Sequence, residues 1–345
     1  MKYFDRLDGL RALAVGAVMM SHYVPHEYQW DIPWGGFGVN LFFIISGFLI
    51  TRILRKSIGE SMSRSLLTFY ARRFLRIFPL YYFCLFWVSI FGWGLDFSAK
   101  ALWHWVYASN WLFWWEGQWA GPVSHFWSLA VEEQFYLVWP LVFLSMRHDE
   151  KGRWMSVVLL LSGLMYRICT QNSFVGDSAL WDVTTPACLE ALGMGALLAH
   201  SWHSCSTRTV SRVLVASSLF LLVSIVLVHN GSLTSEWRYQ AFLVWSTLMI
   251  WFLCRARVTM MDGFFLHPVV RYLGMISYGL YVWHNFMGIP WHAMASFMEF
   301  PEWLEFRFGA ILGKSLLTVA FATMTWYGFE KPLLRLKGRF EYASA

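Results

Sequence analysis

The feature that most limits what this chain can fold into is the recurrence, along its whole length, of apolar runs of about 20 residues separated by short clusters of Lys and Arg. Each run is long enough to cross a bilayer. One soluble core has no use for so many of them. Only 14% of the 345 residues are charged and 57% are hydrophobic, against roughly 25% charged positions in an ordinary globular domain. A water-soluble enzyme, a disordered chain and a coiled coil are excluded on this ground. The formal charge of +6 does not indicate nucleic acid, because the basic residues lie between apolar runs and beside Trp-rich edges rather than on one soluble face. Cys84, Cys169, Cys188, Cys205 and Cys254 form no C-x-x-C pair and lie mostly in or beside apolar segments. They read as small core hydrophobes, with neither a disulfide nor a metal site expected.

Scanning the runs predicts an all-α polytopic membrane protein, one transmembrane domain over 1–345, with spans near 7–24, 36–55, 77–95, 125–145, 154–170, 185–201, 212–229, 237–254, 269–290 and 307–330. A further run at 101–115 decides the count. It carries His104, is crowded with Trp and is shorter than the roughly 17–25 residues that a spanning helix needs. If it is interfacial or re-entrant, 22 of the 27 Lys and Arg fall on the cytoplasmic side, leaving Lys100, Arg167, Arg238, Arg307 and Lys314. Ten spans with both termini cytoplasmic follow from the positive-inside rule. The loop 299–305 is acidic, as an outer loop allows.

Ionisable and polar side chains inside spans are costly, so each is a functional candidate. Arg11 and His22 are 11 residues apart on the first span. That spacing sets them on one face, roughly 16–17 Å apart along the axis. Snorkelling of Arg11 and an interhelical bond to His22 are the structural alternatives. Arg72, Arg73 and Arg76 lie within two turns, a guanidinium cluster suited to phosphate, although positive-inside anchoring would also account for it. In the span 125–145, Ser128, Glu132 and Tyr136 step by four along one face, and Glu133 points about 100° away. Ser277, Tyr281 and His284 lie close to one face of a later span, and the last span ends in Glu330-Lys331-Pro332. On this topology His22, His125 and His284 fall in the outer part of the membrane, while Arg11, Arg271, Glu330 and the cluster at 72–76 fall on the inner side. Such a bundle suits a phosphorylated cytoplasmic donor whose reactive end reaches inward.

At these residues the chain resembles the membrane-bound acyltransferase family 3, whose members include bacterial O-acetyltransferases of surface or extracellular carbohydrates. The likeness is carried by Asp8-Gly-Leu-Arg11 through His22, Gly38-Val-Asn-Leu-Phe-Phe-Ile-Ile-Ser46-Gly47, the arginine cluster, Phe126-Trp-Ser128-Leu through Tyr136, Ile276 to His284, and Glu330-Lys-Pro332. It implies acetyl-CoA as donor, no metal, a carbohydrate or glycolipid acceptor, surrounding membrane lipids, no nucleic acid, and a place in the bacterial cytoplasmic (inner) membrane. By position, Arg11 and His22 match the family's Arg/His pair, Arg72 and Arg76 its Arg-x-x-x-Arg motif, and Glu132 its acid. Asn40 stands where many members have Asp, and Cys188-Leu-Glu190 where Arg-x-Asp is common. An appended periplasmic hydrolase-like domain is not expected, and transfer is expected to finish within the bundle.

The expected machinery is therefore His22 and Glu132 as catalytic residues and Arg11, Arg72, Arg73 and Arg76 on the donor phosphates. Ser128, Glu133, Tyr136, Ser277, Tyr281, His284 and Glu330 are in support. His22 serves as general base or acetyl carrier, with Glu132 orienting its ring. Ser128 and Tyr136 are candidate oxyanion donors. The acceptor hydroxyl belongs to exopolysaccharide, O-antigen or lipo-oligosaccharide, or to a small molecule such as a macrolide. The rival reading is a transporter of acyl groups or sugar lipid; no repeat symmetry between the halves favours it. The Trp-rich 101–119 segment and the loop 171–184 are candidate sugar platforms, with interfacial belting as the alternative.

Overall fold

The computed structural model describes residues 3–30, 32–92, 100–171, 180–200, 206–255, 261–301 and 308–342. Cys205, most of the loop 171–184, Arg307 and the acidic stretch beyond Pro301 lie outside them. Among the described residues there is no strand, and the long helices follow the apolar runs. They are α1 (Asp5–Tyr23), α2 (Trp34–Lys56), α3 (Met62–Ile90), α6 (Trp127–Ser145), α7 (Asp149–Gln171), α8 (Thr185–His200), α9 (Thr207–His229), α10 (Ser235–Arg255) and α15 (Phe308–Thr325). Shorter pieces are α4 (Ala101–Trp105), α5 (Ser109–Glu116), α11 (Asp262–Phe265), α12 (Pro268–Met275), α13 (Ser277–Trp283), α14 (Gly288–Phe297) and α16 (Lys331–Arg335). At about 1.5 Å per residue, the five and eight residues of α4 and α5 reach nowhere near the thickness of a bilayer.

Four helices among the described residues are long and apolar enough to cross a membrane: Trp34–Lys56, Met62–Ile90, Arg208–His229 and Phe308–Arg339. The side-chain pattern of α9 shows what solvent it is built for. Leu219, Leu222 and Val226 are exposed, whereas Ser217 and Ser224 are buried and donate to the carbonyls of Leu214 and Leu221. Apolar side chains outward with satisfied hydroxyls inward is the arrangement that hydrocarbon rewards and water penalises.

The helices gather into two units. The first comprises Met1–Arg52, Arg153–Leu160 and Glu190–Ser277, the second Ile53–Gly152, Leu161–Leu189 and Tyr278–Ala345. In the first unit small residues let backbones touch. A Cβ at Gly195 would strike the Ile44 carbonyl oxygen of α2, and one at Gly47 the Leu192 carbonyl oxygen of α8. Gly274 of α12 is held as tightly, since a methyl there would collide with the Asp8 carbonyl of α1. Two ion pairs fasten the same corner. Arg6 grips Asp262 through Nε and Nη2 at 2.8 and 2.9 Å, and Arg271 meets Asp5 at 2.6 Å. These arginines therefore fasten helices to one another within the unit.

In the second unit α3, 29 residues long, packs beside α6, with α4 lying against α3 and α5 against α6. The apolar run 269–290 is broken rather than continuous. Helix α12 ends at Met275, α13 runs only to Trp283, and a 3-10 turn over His284–Phe286 leads into α14. Pro290 explains part of this: in the first turn of α14 its missing N–H costs nothing, whereas inside one long helix it would remove a bond. The last span also departs from a regular helix, with a π-helical turn over Trp326–Glu330. Such turns recur at functional positions.

Candidate active site

In the first unit, α1 presents the Arg11 and His22 side chains. The Asp8 carboxylate, 3% exposed, accepts from Arg11 at 3.1 Å and from the Tyr3 hydroxyl at 2.6 Å. One turn of helix thus tethers Arg11, and part of its charge is already answered. His22 lies in the last turn of α1, exposed, with Nδ1 at 2.9 Å from the Val18 carbonyl oxygen and 3.3 Å from the Ser21 hydroxyl, which itself donates to Val18. A carbonyl only accepts, so Nδ1 carries the proton and the neutral ring has its lone pair on Nε2. The group that fixes the tautomer is on the same helix, one turn back. Asn40 donates to the Gly36 carbonyl at 2.8 Å, and buried Glu190 accepts from Gln240 at 2.8 Å.

In the second unit two sequence motifs meet. The Ser128 hydroxyl of α6 and the Tyr281 hydroxyl of α13 lie 2.5 Å apart, and Tyr281 also donates to the His125 carbonyl at 2.9 Å. The rings of His125 and His284 approach edge to face at 4.9 Å. His284 Nδ1 donates to the Tyr281 carbonyl at 2.6 Å. His125 faces carbonyl oxygens on both sides, Pro122 at 2.9 Å and Val282 at 3.1 Å, so it ties the start of α6 to α13. All four side chains are buried. Ser277 is also buried, at the first position of α13.

Two turns further along α6 the chemistry changes from imidazole to guanidinium. Arg73 lies over the Tyr136 ring at 5.1 Å and near Phe69 at 5.8 Å. Among the described residues these aromatic faces are its close partners; it makes no hydrogen bond or ion pair. Arg72 Nη1 donates to the Lys337 and Phe340 carbonyls at 3.2 and 2.6 Å and lies near the Tyr342 ring. Burial pushes the Tyr342 phenol up to about 12, against the pull of Arg73 and Arg72. Arg76 lies over Trp326 at 5.9 Å. The π turn carries Glu330 toward α13, where it faces Gly279. Glu330 is 4% exposed, and neither carboxylate oxygen has a hydrogen-bond partner among the described residues.

Glu132 is half-buried and within electrostatic range of Glu133 and Tyr281. Arg11 and His22 belong to one unit and the remaining supporting residues, save Ser277, to the other. Within the second unit Ser128, Tyr281 and His284 meet, and Tyr136 joins Arg73 instead. Ser128 and Tyr136 share a face of α6 yet serve neighbours about 12 Å apart along its axis.

Two residues outside the sequence reading organise this unit. Gln134 of α6 is fully engaged: its amide nitrogen donates to the Tyr107 carbonyl at 2.8 Å and to Asn110 at 2.9 Å, and its oxygen accepts from Trp111 at 3.2 Å and from Thr185. A carboxamide in the middle of an apolar helix was the available signal, since such a group persists only when bonded. Tyr107, between α4 and α5, has φ of 53°. Sequence gives no sign of that, because nothing but tertiary context holds an aromatic residue in the left-handed region.

The acyltransferase-3 domain model, described as an acyltransferase domain, matches residues 4–326. Among curated proteins the chain is 31% identical over 312 residues to the O-acetyltransferase OatA of Staphylococcus aureus (strain NCTC 8325 / PS 47), covering 82% of this chain and 50% of the relative. It is 29% identical over 366 residues to the "Putative peptidoglycan O-acetyltransferase YrhL" of Bacillus subtilis (strain 168), covering 96% of this chain and 55% of the relative. A "Putative O-acetyltransferase" of Staphylococcus aureus (strain COL) is 28% identical over 363 residues, with 96% and 57% covered. The chain spans about half the length of the curated relatives it matches. No solved structure matches it.

Proposed function

Because the chain belongs to the acyltransferase family whose domain model spans residues 4–326, we propose that it moves an acetyl group from cytoplasmic acetyl-CoA to a hydroxyl of a carbohydrate outside the cell. Ten spans, both termini in the cytoplasm and a bacterial inner-membrane location accompany this reading, with the two units acting as one functional domain. The names of the relatives, peptidoglycan O-acetyltransferase among them, make a cell-surface glycan the acceptor of choice.

The observation that carries the proposal is the His22 ring. With Nδ1 donating to the Val18 carbonyl at 2.9 Å, Nε2 is the basic nitrogen of a preset tautomer, which is what a general base needs. It takes the acceptor hydroxyl proton as the acceptor oxygen bonds to the acetyl carbon. The C–S bond then breaks, and the thiolate leaves and recovers a proton. An acetyl group carried on Nε2 is the two-step version of the same transfer. Glu132 remains the second residue to which we assign a catalytic role.

The donor supplies an activated thioester and a strongly anionic end. The three arginines fit the anionic end. Arg73 is flanked by ring faces with Glu133 within electrostatic range, and Arg72 is bonded to neutral carbonyls, so neither charge is committed to an ion pair. Arg11, already paired with Asp8, contributes less. The Ser128 hydroxyl is bonded to Tyr281 and Tyr136 lies under Arg73. Both are thus positioning residues in this mechanism, as are Ser277, His284 and Glu330.

Purified full-length protein in lipid nanodiscs should release CoA thiol from acetyl-CoA when a soluble glycan fragment is added, with one acetyl ester formed per thiol. Uptake or binding of the glycan without thiol release would support a transporter instead.

A further inference from the structure

In the first unit the carboxyl ends of α1 and α9 lie at the same end, since His26, Glu27 and Trp30, which follow α1, and His229, the last residue of α9, line one open cavity of about 440 Å³. The segment after α1 is firmly held. Gln29 is buried, 4% exposed, and its amide nitrogen donates to the Ser21 and Val24 carbonyls at 3.1 and 2.6 Å, groups that a helix end leaves without partners of its own. The Gln29 carbonyl in turn accepts from the Ile32 N–H at 3.1 Å and the Trp34 indole at 3.3 Å. Gly35 of α2 comes so close to this corner that a Cβ there would lie 2.6 Å from the Ser21 hydroxyl oxygen. With Gln29 pinned, the next side chain is turned outward. Trp30 has φ of 54° and is 77% exposed. A bulky residue stays in left-handed backbone only where its surroundings impose it, and an indole that merely anchors a loop among lipid headgroups needs neither that strain nor a polar cavity beside it.

The lining sets three hydrogen-bonding side chains around one aromatic face. A carboxylate accepts from neighbouring hydroxyls, and a neutral imidazole donates from one nitrogen and accepts at the other. The indole suits the C–H face of a pyranose ring. Among the described residues no Lys or Arg lines the cavity, and Glu27 disfavours an acidic occupant, so the chemistry fits an uncharged sugar. Its place fits as well. His26 is four residues beyond His22, which keeps their Cα atoms within about 14 Å of each other. Under the topology proposed above, the carboxyl ends of both helices face outside the cell.

We infer that this cavity is the acceptor subsite: it stacks one uncharged pyranose unit of an extracellular glycan on Trp30, with Glu27, His26 and His229 on its hydroxyls, and so presents a neighbouring unit of the same glycan to Nε2 of His22. The inference rests on the carbohydrate acyltransfer proposed above and supplies the residues that select the acceptor and the class of sugar they take.

The test is equilibrium binding of tritiated tetra-N-acetylchitotetraose to the full chain in phosphatidylethanolamine/phosphatidylglycerol nanodiscs, without acetyl-CoA. The wild-type protein should bind it saturably, and the acidic tetragalacturonate should compete about tenfold less well than unlabelled chitotetraose. Trp30→Ala should weaken binding about tenfold, by loss of the stacking face, and Glu27→Gln about fivefold, by loss of the charged acceptor. No saturable binding to wild type, equal competition by tetragalacturonate, or wild-type affinity in Trp30→Ala, the behaviour of a lipid anchor, overturns the inference. If Trp30→Ala does not fold, Glu27→Gln, an isosteric change at an exposed side chain, decides alone. Thiol release from acetyl-CoA is read separately, with chitotetraose as acceptor. Probe binding that Trp30→Ala weakens, without thiol release, spares this cavity and sinks the transferase. Thiol release whose KM for chitotetraose is the same in wild type and both variants does the reverse.

Discussion

Replacing Gln134 by Leu removes four hydrogen bonds while nearly preserving side-chain volume. The bonds run to the Tyr107 carbonyl, Asn110, Trp111 and Thr185. Interhelical side-chain bonds in membrane proteins average about 0.6 kcal/mol each, which gives about 2.4 kcal/mol for the set. Groups left buried and unpaired raise this, at about 1–3 kcal/mol for each that water does not reach. Thr185 still accepts from Asn110 at 3.1 Å, but its O–H, the Trp111 N–H, the Asn110 side-chain oxygen and the Tyr107 carbonyl each lose their partner in Gln134, so the loss exceeds about 2.4 kcal/mol by about 1–3 kcal/mol for each of these that water does not reach. Thermal unfolding of the full chain in nanodiscs should show a drop of several degrees. Trp111→Phe and Thr185→Val should each lose a fraction of this, and neither should lose that fraction again in the Gln134→Leu background. A wild-type melting temperature for Gln134→Leu, or strictly additive losses in the double variants, would refute the reasoning.

Other consequences follow from single contacts. Arg72→Ala should raise the KM for acetyl-CoA and also free the carboxy-terminal segment, because two tail carbonyls lose their donor; faster tryptic cleavage after Arg339, read by mass spectrometry, checks the second effect. The contribution of Tyr342 to tail protection should be unchanged from pH 7 to 9. The Tyr342 phenol is held up to about 12, above its unfolded value of about 10, so its contribution is complete below pH 10 and is lost only between those two values. Tyr281→Phe, which removes the hydroxyl that meets Ser128 and donates to the His125 carbonyl, should cost about 1–2 kcal/mol and lower kcat more than it raises KM. Gly274→Ala should abolish accumulation of folded protein, since the added methyl collides with the Asp8 backbone carbonyl; yield of monodisperse protein reports it.

Much of the helical layout was legible because bilayer thickness fixes run length, so α2 and α6 fall within two residues of the apolar windows. The break at 276–287 was not, because Gly274 and Pro290 act through neighbours that a hydropathy window does not contain. Face arithmetic placed Ser128 and Tyr136 together correctly but could not say what each faces. One meets Tyr281 and the other Arg73, which is a property of helix pairing, not of α6. The arginine cluster was visible as charge, whereas its partners, two tail carbonyls and four aromatic rings, were not. Tyr107 was hidden altogether: its φ is imposed by tertiary context.

The most direct measurement is the rate of CoA thiol release by wild-type, His22→Ala and His22→Gln proteins at matched levels in nanodiscs, with acetyl-CoA and a peptidoglycan-derived glycan. An intact base should give acceptor-dependent release, and both variants should fall by about two orders of magnitude or more with unchanged melting temperatures. Release by His22→Gln at the wild-type rate would contradict the account, whatever the arginines and the cavity do.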